Sequence, residues 1–409
     1  MDKTRFVIVP ADVCNLTCSF CCVSACNGSS GTVMSKEDAR KYATIIAKYL
    51  VKNNITNVEM PFYGGEPFLN IDAIKEFCHV LLDFHKTYGI PEMVHLAPMT
   101  NGTKNIPEYI DFVNSLNSDT DMFTTKIQFS FDGPKELCTE TAEKTDISYM
   151  KNAIELSKAN DSIDICCMMV ISNQNMDNFF NIFKYIHTEG LLPYIVMRFD
   201  IINDDYDKFG SIVIPQYEQI VQYIKDNNVF LNDEHKLDFF RIYADDVPRG
   251  GCGSGIDTVC LSANGYLTGC MHDVVLISEH YPNRVYTKLT SVEDIENYMD
   301  LSFSQDWYDI GKEGHADCED ICPAHWEESK NNPARQNFFK RIHEITIAYF
   351  DKNEFINKMC KGCNTKIRYD IPLRYTMVNE NEIVKQLDEG EVLNEDTKNT
   401  TDKHNIKDM

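Results

Sequence analysis

The sequence predicts an α/β chain: a partial (β/α)6, TIM-like barrel followed by a cysteine-rich C-terminal region. Three observations carry that prediction. From Arg5 to about Asp200, short β-rich runs alternate with amphipathic helical stretches, the pattern of repeated βα units around a parallel sheet. Six such runs fall within about two hundred residues, which suits a barrel that does not close. Cysteine then returns at positions 252, 260, 270, 318, 322, 360 and 363.

In chain order, strands are expected at Phe6–Val9, Asn57–Tyr63, Met93–Met99, Lys126–Phe131, Ile163–Ile171 and Tyr194–Phe199. Helices are expected between them. Ser35–Lys52 opens on Ser35, whose hydroxyl can cap the first turn, with Asp38 at the third helical position. Ile71–Tyr88 is the second, and Pro215–Asn227 is a helical connector. The division that follows is 1–210 for the barrel, 211–250 for the connector, 251–375 for the cysteine-rich domain and 376–409 for a tail. Residues 379–409 hold nine acidic residues against four lysines, which reads as a disordered, solvated segment. In parallel barrels the chemistry lies at the C-terminal ends of the strands. That rule gathers the Cys14 loop, Gly64–Pro67, Asn101 and Asp132 around one mouth.

Composition narrows the function classes. At 43% hydrophobic and 11% aromatic residues, the 409-residue chain can build real cores. No apolar run is long enough to cross a bilayer, and Phe6–Val9 before Pro10 is too short for a signal-peptide core, so a cytoplasmic location is expected and a membrane partner is not. Sixteen cysteines in a long chain without an export signal point to metal ligation in a reducing compartment. A formal charge of -24 repels a phosphate backbone, which argues against nucleic acid as a partner.

Cys14, Cys18 and Cys21 are the most informative residues. Thiolates spaced C-x3-C-x2-C can fold over one iron-sulfur cube, and three ligands leave one of its four irons open. Cys22 and Cys26 follow at once, but a register starting from Cys18 and Cys22 needs a cysteine where Ala25 stands. They read as small, redox-idle thiols.

This spacing, with Phe20 just before the last cysteine, resembles the radical S-adenosylmethionine (radical SAM) superfamily. The resemblance implies a [4Fe-4S] cluster on Cys14, Cys18 and Cys21, with SAM on the open iron and cleaved by one electron to a 5'-deoxyadenosyl radical. Phe62-Tyr63-Gly64-Gly65-Glu66-Pro67 is similar to the family's Gly-Gly-Glu-Pro element, which receives the SAM amino group. Two glycines allow backbone to approach the ligand, Glu66 can accept from an ammonium, and Pro67 stiffens the turn. Phe20 is implied near the adenine. Thr100-Asn101-Gly102-Thr103 and Ser130-Phe131-Asp132-Gly133-Pro134 resemble the third- and fourth-strand signatures of the branch carrying a SPASM domain, which places Asn101, Ser130 and Asp132 near SAM. Each also reads as a plain turn. The chain departs from the pattern afterwards: Ala142 stands where an Arg reaches the SAM carboxylate, with Lys144 as the nearby substitute.

The C-terminal cysteines resemble a degraded SPASM domain. Cys252, Gly265 and Cys270 fit its C-x(9-15)-G-x4-C opening, and Cys260, Cys318, Cys322, Cys360 and Cys363 supply the rest. One or two auxiliary [4Fe-4S] clusters are implied: Cys252, Cys260, Cys270 and Cys363 for the first, and Cys318, Cys322 and Cys360 for the second, with His315 or His325 as a candidate fourth ligand. Zinc knuckles use the same C-x2-C spacing, so a zinc-stapled binding protein stands as an alternative.

The branch implies an enzyme that crosslinks or oxidises a peptide or protein side chain, as in ribosomal peptide maturation. The alternative within the branch is a sulfatase-maturating, formylglycine-generating enzyme. In that branch an Asp follows the third auxiliary cysteine; here it is Met271, with His272 and Asp273 next as candidate proton acceptors. Expected partners are the peptide or protein substrate and an electron donor such as flavodoxin or ferredoxin. Thirteen residues precede Cys14, too few for a winged-helix leader-binding module, so a separate leader-peptide recognition protein or direct binding at the mouth is expected.

Overall fold

A computed structural model of the chain describes residues 4–18, 21, 31–118, 120–199, 205–227, 229, 258–268, 287–299 and 332–349. Strands β1 (Thr4–Ala11), β2 (Asn57–Gly64), β3 (Met93–Thr100), β4 (Phe123–Ser130), β5 (Ile163–Ile171) and β6 (Ile195–Phe199) pair in parallel, each with the next. Helices α1 (Lys36–Lys52), α2 (Ile71–Tyr88), α3 (Ile106–Leu116), α4 (Ser148–Ser157) and α5 (Phe179–Thr188) return the chain between strands. This is the expected βα alternation, within a few residues at every strand end.

The strands alternate because side chains of period two must serve two environments. Phe6, Ile8, Met60, Phe62, Leu96, Ile127 and Phe129 are buried in the core that includes the helices. The opposite face carries Glu59, Tyr63, His95, Met99, Gln128, Ser130, Met168 and Arg198, all half-buried. Near the N-terminal ends of the strands this face is closed by polar pairs: Arg5 with Glu59 at 3.0 Å, His95 Nδ1 with Thr124 Oγ1 at 2.6 Å, and Lys126 with Asp164 at 3.2 Å. The other end of the same face is left for chemistry.

Local signals set the helix starts. Ser35 Oγ accepts from the Asp38 N–H at 3.0 Å, as its sequence predicts. Helix α6 (Tyr206–Asp226) begins nine residues before the expected Pro215 and carries that proline inside. Asp205 caps it, accepting from the Lys208 N–H at 3.0 Å. Its stripe of Tyr206, Phe209, Val213, Tyr217, Ile220 and Ile224 is buried at helical spacing, so packing outweighs the break that a proline alone would impose. It packs on α8 (Pro333–Tyr349) through Phe209, Phe338 and Phe199, with Tyr217 Oη against Thr346 Oγ1 at 2.7 Å.

One feature departs from the expected layout. Strand β7 (Thr258–Leu261) joins the barrel sheet directly, parallel to β1, with Val7 beside Cys260. β8 (Tyr266–Thr268) and β9 (Thr287–Lys288) continue it antiparallel, giving among the described residues one nine-stranded sheet in the order β6-β5-β4-β3-β2-β1-β7-β8-β9. Helix α7 (Val292–Met299) follows, tied to α1 by Lys52 and Glu296 at 2.9 Å. Among the described residues no helix is long and apolar enough to cross a membrane.

Candidate functional site

The site is built where β1 and β2 end. Gly65 N–H donates to the Ala11 carbonyl at 3.1 Å and Glu66 N–H to the Val13 carbonyl at 2.8 Å, so the Gly-Gly-Glu segment is zipped to the first residues of the cysteine loop. A Cβ on Gly65 would lie 2.1 Å from the Val13 oxygen and 2.8 Å from the Cys14 nitrogen. Gly64 has φ +127, and its Cβ would lie 2.5 Å from the Ala11 oxygen. Both glycines are therefore required for backbone to meet backbone at the root of the cysteine loop, before any ligand is considered.

Glu66, 1% exposed, ties three strand ends together. Its Oε1 accepts from the Phe68 N–H at 3.0 Å and the Thr100 hydroxyl at 2.7 Å, and its Oε2 from the Asn101 N–H at 2.7 Å. Burial pushes this carboxyl up to about 7 despite those donors. A carboxylate has about four acceptor positions. Three are taken, which leaves one on Oε2 for a ligand's ammonium.

The cysteine loop is held from two further sides. Asn101 Oδ1 accepts from the Thr103 N–H at 3.0 Å and its hydroxyl at 2.7 Å, while Nδ2 donates to Asn15 Oδ1 at 3.0 Å and to Cys14 Sγ at 3.7 Å. Asn15 Nδ2 returns a bond to Thr103 Oγ1 at 2.8 Å. From the loop after β4, the Glu143 carboxylate accepts from both the backbone N–H and the hydroxyl of Thr17. Lys135 shapes that loop, donating to the carbonyls of Glu140 at 2.7 Å and Ala142 at 3.0 Å. Ala142 is buried.

Cys18 and Asp132 form the inner wall. Burial pushes the Cys18 thiol up to about 12; the Lys144 ammonium pulls it down, and Asp132, Glu143 and Cys21 push it further up. Asp132, 1% exposed, is also raised by burial and drawn back by Lys144. Its Oδ2 is buried with no hydrogen-bond partner, as is Oδ1 of Asp12, whose carboxyl burial pushes up to about 6. Ser130 ends β4 on the half-buried face, opposite Met168.

These residues fit the implied groups. The donor set of the loop is three thiols of the type that binds iron, a thiolate at Cys18 calls for the positive charge that iron supplies, and two orphaned carboxylate oxygens offer acceptors to an ammonium or hydroxyl donor. The structure thus sets Cys14 beside Asn101, Glu66 against the Asn101 N–H, and Cys18 near Asp132, Lys144 and Cys21, while among the described residues no three His, Cys, Asp or Glu side chains are already gathered as a metal site. Asn15, Thr17, Thr103, Glu143 and Asp12 were not singled out by the sequence. Only Thr103, within the Thr-Asn-Gly-Thr turn, left a local signal; Thr17 and Glu143 are 126 residues apart.

Of the C-terminal ligands expected from the sequence, Cys260 lies within β7, 1% exposed, opposite Thr268 of β8. Phe20, Cys252, Cys270, His272, Asp273, His315, Cys318, Cys322, His325, Cys360 and Cys363 lie outside the described residues. So do Cys22, Cys26 and the acidic tail.

A partial parallel barrel whose first strand runs into a loop carrying Cys14, Cys18 and Cys21 invites comparison with known proteins. Residues 8–186, a little under half of the chain, match the family profile described as "Radical SAM superfamily", which places a radical SAM domain in this stretch. The chain is 21% identical over 395 residues to "Radical SAM cyclopropyl synthase TigE" of Paramaledivibacter caminithermalis, covering 89% of this chain and 75% of that protein. Among solved structures, "Native anSMEcpe with bound AdoMet" superposes with a TM-score of 0.59 at 15% identity, over 88% of this chain and 100% of that one. "Native anSMEcpe with bound AdoMet and Cp18Cys peptide" gives 0.59 at 16%, over 89% and 100%. At such identity these two likenesses establish the fold.

Proposed function

We propose that the protein modifies a side chain of a peptide or protein by crosslinking or oxidation, as in ribosomal peptide maturation, with a [4Fe-4S] cluster on Cys14, Cys18 and Cys21 and SAM as cosubstrate. The observation that carries this reading is the cysteine loop fixed at the open end of a half-exposed sheet face, with a peptide-bound structure among those of like fold. When bound, the cluster and SAM supply a carbon-centred radical that takes a hydrogen atom from the substrate. The protein's own residues do the rest. Glu66 offers the free acceptor position on Oε2 to the SAM ammonium, and Phe20, Asn101, Ser130 and Asp132 line its remaining contacts. Lys144, close enough to Cys18 and Asp132 to act on both charges, takes the carboxylate in place of the missing Arg. A lysine is a point donor, so this anchor is less directional than a guanidinium fork.

The C-terminal cysteines, Cys260 in β7 among them, would hold one or two auxiliary clusters, which would supply an acceptor for the electron left after hydrogen abstraction, and His272 or Asp273 would take the proton. Flavodoxin or ferredoxin serves as electron donor.

Mass spectrometry of precursor peptides encoded beside the gene, after anaerobic turnover with SAM, tests the reading. Loss of two hydrogens per 5'-deoxyadenosine formed is expected for a crosslink. SAM cleavage that leaves every such peptide unchanged, while a sulfatase cysteine becomes formylglycine, would overturn ribosomal peptide maturation in favour of sulfatase maturation.

A further inference from the structure

We infer that Asn101 acts on the cluster itself: its side-chain amide is a positioning residue that holds Cys14 and raises the cluster's reduction potential. This rests on the cluster assignment proposed above. Hydrogen bonding fixes the orientation of the amide. The Thr103 backbone N–H can only donate, so the atom 3.0 Å from it is Oδ1, and the Thr103 hydroxyl adds a second bond at 2.7 Å. Nδ2 must then face the cysteine loop. Its two N–H groups reach Asn15 Oδ1 at 3.0 Å and Cys14 Sγ at 3.7 Å, a contact length set by the larger sulfur.

The rest of the residue is equally constrained. Its backbone N–H is held by Glu66 Oε2 at 2.7 Å, so a buried carboxyl anchors the strand end that carries the amide. The donor comes from β3 rather than from the cysteine loop, 87 residues away in sequence. Cys14 Sγ also accepts from the Leu16 N–H at 3.4 Å, a bond local to the loop. Asn101 therefore adds a donor from outside the loop.

A donor aimed at a ligand sulfur stabilises the reduced cluster, which carries one more negative charge, more than the oxidised one. Removing it lowers the potential. The contact is long, so the expected effect is about threefold to tenfold in the ratio of reduced to oxidised cluster at fixed potential; tenfold is about 59 mV for one electron.

The test is a redox titration of anaerobic full-length protein followed by electron paramagnetic resonance, reading the signal that changes when SAM is added, with iron content measured in parallel. Asn101→Ala removes the donor and is expected to lower the potential by the stated ratio at unchanged iron content. Asn101→Asp keeps the acceptor for Thr103 and turns an oxygen toward Cys14, so its potential falls at least as far. Where either variant fails to load iron, Thr103→Val, which removes the hydroxyl's bond to Asn101 Oδ1 and its bond from Asn15 Nδ2 but keeps the Asn101 amide, is expected to shift the potential in the same direction by less. A fully loaded Asn101 variant, or a loaded Thr103→Val where neither Asn101 variant loads, with wild-type potential overturns the inference alone. A wild-type protein showing no SAM-responsive signal overturns the cluster assignment and the inference with it.

Discussion

Replacing Gly65 with Ala puts the backbone-to-backbone contact under direct strain. The added Cβ would sit 2.1 Å from the Val13 oxygen and 2.3 Å from its carbon. Carbon and oxygen atoms in good contact stand roughly 3.5 Å apart, so the peptide leading into Cys14 must move by about 1 Å or β2 must retreat as far. The thermodynamic cost expected of such overpacking is about 1–3 kcal/mol. The positional cost is larger, because ligand distances at a metal site tolerate only about 0.2 Å. Thermal unfolding of the apo protein, followed by iron content and visible absorbance after reconstitution, separates the two. Gly65→Ala should lower Tm by several degrees and greatly reduce the iron bound by the SAM-responsive cluster. Gly210→Ala serves as the comparison, since its Cβ would meet only side chains, Phe338 at 3.3 Å and Ile214 at 3.6 Å. Wild-type cluster loading in Gly65→Ala would refute the claim that this glycine seats the cysteine loop.

Further predictions concern the groups around that loop. Because burial raises Glu66 from 4.5 to about 7, its contribution to apo-protein stability is fully present below about pH 4.5 and is lost as pH rises to about 7, a change of about 3 kcal/mol. Glu66→Gln should flatten that segment of the pH profile in chemical denaturation and cost about 1–3 kcal/mol by turning an amide against the Asn101 N–H; an unchanged slope would contradict the assignment. Glu143→Ala frees Thr17, and faster hydrogen exchange of the Thr17 amide in the apo protein, with global Tm within a few degrees of wild type, is the expected result. Lys144→Ala should weaken SAM binding about tenfold or more by calorimetry, and Lys144→Arg should restore it; equal affinity in all three removes Lys144 from the carboxylate.

How much of this was readable beforehand depended on range. The six parallel strands and α1 declare themselves locally, through two-residue alternation and through Ser35 placed three residues before Asp38. The cysteine triad and the Gly-Gly-Glu-Pro turn are likewise short and self-contained, and the fold sets both at one mouth. The reason for the glycines was not readable, because the atoms they avoid, on Ala11 and Val13, come from another strand. Strand β7 was missed for a similar cause: it is four residues long, and its partner is the first strand of the chain. The start of α6 was misplaced because Pro215 is a strong local stop, whereas the buried stripe that carries the helix through it depends on Phe199 and Phe338. The departure at Ala142 was visible in the sequence. That Lys135 folds the loop so that Glu143 reaches Thr17 while Lys144 faces Cys18 is a property of the structure alone.

The most direct measurement is reductive cleavage of SAM, read as 5'-deoxyadenosine and methionine, by anaerobically reconstituted wild-type protein and Cys18→Ala. A cluster held by Cys14, Cys18 and Cys21 requires cleavage in the wild type and its loss in the variant, together with the SAM-dependent resonance signal. Undiminished cleavage by Cys18→Ala, or wild-type protein that holds zinc and no iron, would show that the chemistry begins elsewhere.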